Sequence, residues 1–202
     1  MTRVCILDYG SGNVRSVMNA FSYYSDCVIS NELNVIKNAS HIVLPGVGSY
    51  KNSMKLIQNR IPIAELKNYL SAGKPFLGIC VGMQVLGDKG IELEEATGLQ
   101  LMPGVVSRIK CGNLPLPHVG WNNLVELKKN PLTAGITEDD DFYFVHSFAY
   151  SNLGEEQVLA KAVYGQPFPA IVNRENIFGV QFHPEKSQKA GSRVIQNFLE
   201  IV

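Results

Sequence analysis

The chain has 202 residues, 46% of them apolar, enough for the core of one α/β domain. Its 18 basic and 18 acidic side chains cancel, which removes any net field for nucleic acid or an anionic membrane and leaves a small molecule or another protein as the expected partner. The four cysteines (Cys5, Cys27, Cys80, Cys111) show no C-x-x-C spacing and no paired framework, as expected of reduced thiols in the cytoplasm, and no apolar run approaches the roughly 20 residues of a membrane helix.

Residues 4–7 read as a first buried strand that stops at Asp8, too short for a secretory signal, with Cys5 an inert buried thiol. Residues 13–24 carry helical patterning, and residues 41–44 give a second strand. A helix is expected around residues 53–70, interrupted at Pro62, which has no N–H to donate. Residues 76–79 form a strand that leads into a helix opened by Cys80. This alternation implies βαβ units: an α/β fold with a mainly parallel open sheet flanked by helices, and ligands at the carboxyl ends of the strands. From about 98 to 164 the texture changes. Strand-like runs at 104–109, 123–127, 142–148 and 157–163, separated by Gly, Pro, Asn and Asp, predict an additional antiparallel strand region packed on the first sheet. Residues 176–182 read as a buried strand. Residues 190–202 place Val194, Ile195, Phe198, Leu199 and Val202 on one helical face. No repeat, low-complexity tract or linker interrupts the chain, so residues 1–202 are expected to form a single domain.

The most informative stretch is Gly78-Ile79-Cys80-Val81-Gly82. It has the form of a nucleophile elbow with a thiol in place of the hydroxyl, in which a sharp strand-to-helix turn holds the nucleophile in a strained conformation. A Cβ at either glycine would collide across so tight a turn. The amino end of the following helix, with its unpaired N–H groups and dipole, favours thiolate. The partner for that thiol is expected in His183-Pro184-Glu185. Pro184 disfavours the α region for His183, so the tripeptide is expected to be extended, with Glu185 reaching one ring nitrogen and the other facing Cys80. Gly10-Ser11-Gly12 after the first strand does not complete a dinucleotide fingerprint, because Arg15 stands where the third glycine is needed. His118 and His41 carry no such support and are expected to be structural or exposed.

Gly-Ile-Cys-Val-Gly-Met-Gln at 78–84, with His-Pro-Glu-Lys-Ser at 183–187, resembles the class I glutamine amidotransferase family. The motifs Asp8-Tyr9-Gly10-Ser11-Gly12-Asn13, Leu44-Pro45-Gly46-Val47-Gly48, Pro117-His118-Val119-Gly120-Trp121-Asn122 and Tyr143-Phe144-Val145-His146-Ser147 occur in order. They are similar to those of the glutaminase subunits that feed ammonia to a cyclase-type synthase chain in histidine biosynthesis. The resemblance covers nearly the whole chain and implies a flavodoxin-like amidotransferase domain that hydrolyses glutamine through a cysteinyl thioester. It implies a triad of Cys80, His183 and Glu185. Elbow geometry places the Val81 N–H at an oxyanion hole, and the resemblance adds Val47 or Gly48 as the second donor. Glycines on both sides of Val47 let that peptide rotate cheaply, so this half of the hole is expected to be switchable. Gln84, four residues after Cys80 on the same helical face, is expected to reach the substrate. Gly46, Gly48, Glu92, His146 and Ser147 are implied as further glutamine-binding positions. Asn13, Trp121, Asn122, Tyr143 and Lys186 are implied to border the partner chain of a heterodimer and the ammonia exit. No metal cluster or phosphate cradle is seen, so no cofactor is expected.

One departure bears on the acceptor. Residues 85–91 read Val-Leu-Gly-Asp-Lys-Gly-Ile where histidine-pathway members usually carry a bulkier pattern. Paralogues that feed ammonia to enzymes amidating surface-polysaccharide sugars are therefore an alternative. A stand-alone peptidase or γ-glutamyl hydrolase and a catalytically silent regulatory subunit fit less well, because the interface motifs are present and the triad is intact.

Overall fold

The computed structural model describes residues 3–202. Its first half alternates strand and helix as the patterning predicts, with one further strand and one further helix, at residues 26–29 and 33–38, that the patterning does not give. Strand β1 (Arg3–Ile6) is followed by α1 (Val14–Ser22), β2 (Asp26–Ile29) and α2 (Leu33–Asn38). Then come β3 (His41–Gly46), α3 (Tyr50–Arg60) and α4 (Ile63–Ser71). Pro62 sits at the N-cap of α4, so it divides the helical pattern of residues 53–70 into two elements where its missing N–H costs nothing. Strand β4 (Phe76–Cys80) turns directly into α5 (Val81–Gln84), a single turn.

The second half is strand-rich: β5 (Lys89–Ile91), β6 (Glu95–Thr97), β7 (Val105–Arg108), β8 (His118–Asn123), β9 (Asp141–His146) and β10 (Phe148–Tyr150). It ends in β11 (Val158–Tyr164), β12 (Gln166–Arg174), β13 (Ile177–Val180) and α6 (Gln188–Leu199). The main sheet runs β11-β12-β13-β4-β3-β1-β2, with β13, β4, β3, β1 and β2 parallel and the β12 and β11 edge antiparallel. A four-stranded sheet, β10-β7-β5-β6, and the two-stranded β8-β9 hairpin stand beside it. Strands β3, β4 and β13 are buried at every position, which is why they read as continuous apolar runs without alternation. Among the described residues no helix is long and apolar enough to cross a membrane.

Three expectations are corrected. The strand expected at 123–127 lies instead at residues 118–123, and Val125 makes only an isolated bridge to Lys161. In β8 the buried positions are headed by His118 while Val119 and Trp121 face outward, so the usual apolar-in alternation is reversed and hidden. The run at 157–163 does not join the added antiparallel region but forms the edge of the main sheet, paired to β12. Strand β12 is masked in the sequence by Pro167 and Pro169. Both lie beyond Ile171–Arg174, the stretch of β12 that bonds to β13, so they sit where β12 has a partner on one side only. At the C-terminus, α6 ends at Leu199, and Val202 is fully exposed rather than on the buried face.

Cys5, Cys27, Cys80 and Cys111 are all free. Burial pushes the Cys5 thiol up to about 11, with a contact to the Ser30 carbonyl at 3.3 Å, as befits an inert core thiol.

Candidate functional site

Parallel strands β3, β4 and β13 end side by side, and the loops leaving them build one site. At the end of β4, Cys80 has φ 55° and ψ −112°, a left-handed backbone that costs a non-glycine residue about 1–3 kcal/mol. The turn closes because its flanking residues lack side chains. A Cβ on Gly82 would lie 1.8 Å from the Leu44 carbonyl oxygen, and one on Gly78 would lie 2.5 Å from the Gly82 oxygen. The expected help from a helix dipole is reduced, since α5 is one turn and a macrodipole grows with aligned peptides.

After β13 the chain delivers His183 and Glu185. His183 is extended (φ −100°, ψ 97°), but Pro184–Lys186 form a 3-10 turn, so the carboxylate returns by a turn rather than by the extended alternation expected. Glu185 Oε1 lies 2.8 Å from His183 Nδ1, and the two side chains are 1% and 3% exposed. An ionised carboxylate can only accept, so Nδ1 carries a proton in either charge state, and Nε2 is the nitrogen that holds the lone pair when the ring is neutral. That Nε2 is buried with no hydrogen-bond partner among the described residues. Burial pushes the imidazole down, but Cys80 and Glu185 outweigh it and hold the His183 pKa above the usual range. The segment is clamped to β9: His183 N donates to the Tyr143 carbonyl at 2.9 Å, Ser187 Oγ donates to the His183 carbonyl at 2.7 Å, and Tyr143 N donates to Ser187 Oγ at 3.0 Å.

Cys80 and His183 share the wall of a cavity of about 230 Å³ with Val47, Gly48, Val81, Gln84, Glu92, His146 and Ser147. The sequence reading named all of these. It gave no site role to Val145 and Phe148, which also line the cavity and offer carbonyls to the site. Gly46 is not on the wall. It packs beneath the elbow, where a Cβ would meet Gly82 N at 2.5 Å and the Tyr9 hydroxyl at 2.6 Å. The Val47 carbonyl accepts from Ser11 Oγ at 2.7 Å, and the Gly48 N–H of that same trans peptide is thereby held on the side away from Ser11. Glu92 Oε2 accepts from Tyr50 N at 2.8 Å, so this carboxylate caps the start of α3 while it borders the cavity.

His146 is not an isolated core histidine. Its Nδ1 donates to the Phe148 carbonyl at 2.9 Å, so its Nε2 accepts from His118 Nδ1 at 3.1 Å, and His118 Nε2 then faces Asn122 Nδ2 at 3.4 Å. Burial, with the neighbouring His118 and His183, lowers His146 to about 4, and burial lowers His118 as well. His41 is structural, with Nε2 against the Ile201 carbonyl at 2.9 Å.

The residues expected at a partner border divide. Trp121, half-exposed, packs edge to face on Tyr143 at 5.8 Å between ring centroids, and Lys186 Nζ lies 5.6 Å from the centre of the same ring. Asn122 points to the opposite face of β8, donating to the Val163 carbonyl at 2.9 Å. Asn13 caps α1, its side chain accepting from Ser16 N. A strained thiol, a base with a free nitrogen and a carboxylate that orients the base can carry out nucleophilic acyl transfer.

The family described as glutamine amidotransferase class-I matches residues 5–202. Imidazole glycerol phosphate synthase subunit HisH 2 of Nitrobacter winogradskyi is 44% identical over 99% of this chain and 99% of its own length. Imidazole glycerol phosphate synthase subunit HisH of Lactococcus lactis is 42% identical over 99% of both. Among solved structures, a putative GMP synthase component from Thermoplasma acidophilum superimposes with a TM-score of 0.72 at 17% identity, covering 100% of this chain and 94% of that one.

Proposed function

Because the chain belongs to the class-I glutamine amidotransferase family, we propose that it is the glutaminase subunit of an imidazole glycerol phosphate synthase: a single amidotransferase domain over residues 1–202 that releases ammonia from glutamine and passes it to a cyclase-type synthase chain in histidine biosynthesis. The relatives from Nitrobacter winogradskyi and Lactococcus lactis, matched end to end, support the pathway. The buried His183–Glu185 pair, whose imidazole lines the same cavity as the strained Cys80, carries the chemistry.

Cys80 gives its proton to His183 Nε2 and attacks the side-chain carboxamide carbon of glutamine. The oxyanion that forms is met by the Val81 and Gly48 N–H groups, with Val47 shaping the loop. His183 returns the proton to the departing nitrogen, and ammonia leaves. A γ-glutamyl thioester remains on Cys80. His183 then takes a proton from water, which attacks the thioester and releases glutamate. Glu185 keeps the ring in the required tautomer and stabilises its cationic form. Gln84, Glu92, His146 and Ser147 hold the amino acid from the cavity wall. The Trp121, Tyr143 and Lys186 cluster forms the partner border of a cytoplasmic heterodimer. Ammonia crosses it without meeting bulk water, which would protonate it.

Glutamate release measured with and without a cyclase chain and its nucleotide substrate tests the reading. Strong stimulation, abolished by Cys80→Ala, is expected. Release that survives Cys80→Ala, or that ignores the cyclase chain, overturns it.

A further inference from the structure

Gln181 is fully buried on the chain between β13 and His183, and its carboxamide touches the nucleophile: Nε2 lies 3.7 Å from Cys80 Sγ. A buried primary amide in an otherwise apolar run is costly unless its donors and acceptor are used. Which end of the amide faces the sulfur follows from a chain of partners. The Phe148 carbonyl can only accept, so the Gln84 atom 2.8 Å from it is the nitrogen. The second hydrogen of that Gln84 nitrogen points to Gln181 at 3.0 Å, so the Gln181 atom there is the oxygen. The nitrogen of Gln181 is then the end that faces Cys80. The Phe148 carbonyl is itself held by His146 Nδ1 at 2.9 Å, which fixes the start of the chain.

From this geometry we propose that Gln181 is the fixed hydrogen-bond donor to the Cys80 thiolate, oriented through Gln84 and the Phe148 carbonyl. The inference rests on the reading of Cys80 as the nucleophile. The sulfur has one acceptor and one donor within reach. As a thiol it donates to the Val145 carbonyl at 3.9 Å; as a thiolate it accepts from Gln181. With α5 only one turn long, this side chain supplies what a long helix dipole supplies elsewhere. It also gives Gln84 a second task beyond the cavity wall. Both hydrogens of its amide nitrogen are committed to the chain, so only its oxygen remains to face a bound amino acid.

The test is the pH dependence of Cys80 alkylation by iodoacetamide, read by peptide mass spectrometry, in the chain with its cyclase partner and in Gln181→Met and Gln181→Glu variants. Methionine keeps the length and removes the donor; glutamate keeps the shape and places an acceptor against the sulfur. The alkylation midpoint is expected to rise by about one to two pH units in Gln181→Met and further in Gln181→Glu, as loss of a charge-assisted bond requires. The kcat for glutamine hydrolysis should fall with it, while KM changes little. A midpoint that stays put in either variant, with its melting transition intact, overturns the proposal even if activity falls, because a packing role alone leaves the thiol titration where it was. Should Gln181→Met fail to fold, Gln181→Glu carries the same readout. The nucleophile itself is judged separately: glutamate release retained by Cys80→Ala would remove the premise, whereas an unmoved midpoint removes only the part given to Gln181.

Discussion

Acidifying the protein from pH 7 to pH 4 should strip stability through His146, and the structure sets both the sign and the size of the loss. Burial, with the nearby His118 and His183, lowers this imidazole from 6.5 to about 4, against the opposing bond to the Phe148 carbonyl. Between those two values the unfolded chain binds a proton that the folded chain refuses, so stability rises with pH across that window and falls on acidification. The contribution is complete above pH 6.5 and gone below about 4. At about 1.4 kcal/mol per pH unit, the gap amounts to roughly 3 kcal/mol, a large part of the roughly 5–15 kcal/mol that holds a domain together. Protonation also leaves the ring with two donors, one of them pressed against the N–H of His118. His118 and His41, both lowered by burial, add losses of the same sign. His183, raised in the fold, contributes stability that is complete below pH 6.5 and is lost only as pH climbs through its folded value, so it does not tilt this window. Urea unfolding followed by circular dichroism at closely spaced pH values, for the native chain and for His146→Asn, isolates the effect. The native curve should lose about 3 kcal/mol more than the variant between pH 6.5 and 4. Parallel curves would refute the reasoning.

Three further outcomes follow from the same geometry. Gly82→Ala places a methyl group 1.8 Å from the Leu44 oxygen; the elbow must open, at a cost of about 1–3 kcal/mol in urea unfolding with loss of glutaminase turnover. In Glu185→Gln, the amide can donate to Nδ1 and move the ring proton to Nε2, so steady-state kcat should drop roughly 10³- to 10⁴-fold, with little change in secondary structure by circular dichroism. Trp121→Ala removes a half-exposed ring from Tyr143. Calorimetric titration with the cyclase chain should show weakening of about 1–4 kcal/mol, and the melting temperature of the isolated chain should hold within a degree or two.

The strained elbow and its distant histidine were legible in the sequence because each needs unusual residues in fixed order. Only glycine fits at positions 78 and 82, and a proline follows His183. The parallel strands were legible because they are buried on both faces and so run apolar without a break. Strand β8 was not, since its inward face carries His118 and Asn122 and its outward face Val119 and Trp121, which inverts the usual pattern. Strand β2 and helix α2 are too short to show a period. The His118–His146 pair and the Gln84–Gln181 pair join residues 28 and 97 apart in sequence, and no local pattern announces such contacts. One signal for Gln181 was present: a lone amide inside Phe178-Gly179-Val180-Gln181-Phe182, where burial demands a partner. The expected dipole support for Cys80 was misjudged because the length of α5 depends on where the chain leaves for β5, which its residues do not reveal.

The most direct measurement is acid-quench mass spectrometry of the chain during turnover with glutamine and its cyclase partner, followed by peptide mapping. One glutamyl group is predicted on the peptide that contains Cys80, increased when deacylation is slowed and absent in Cys80→Ala. A glutamyl group on any other residue, or steady glutamate release from a protein that never carries the adduct, would contradict the account.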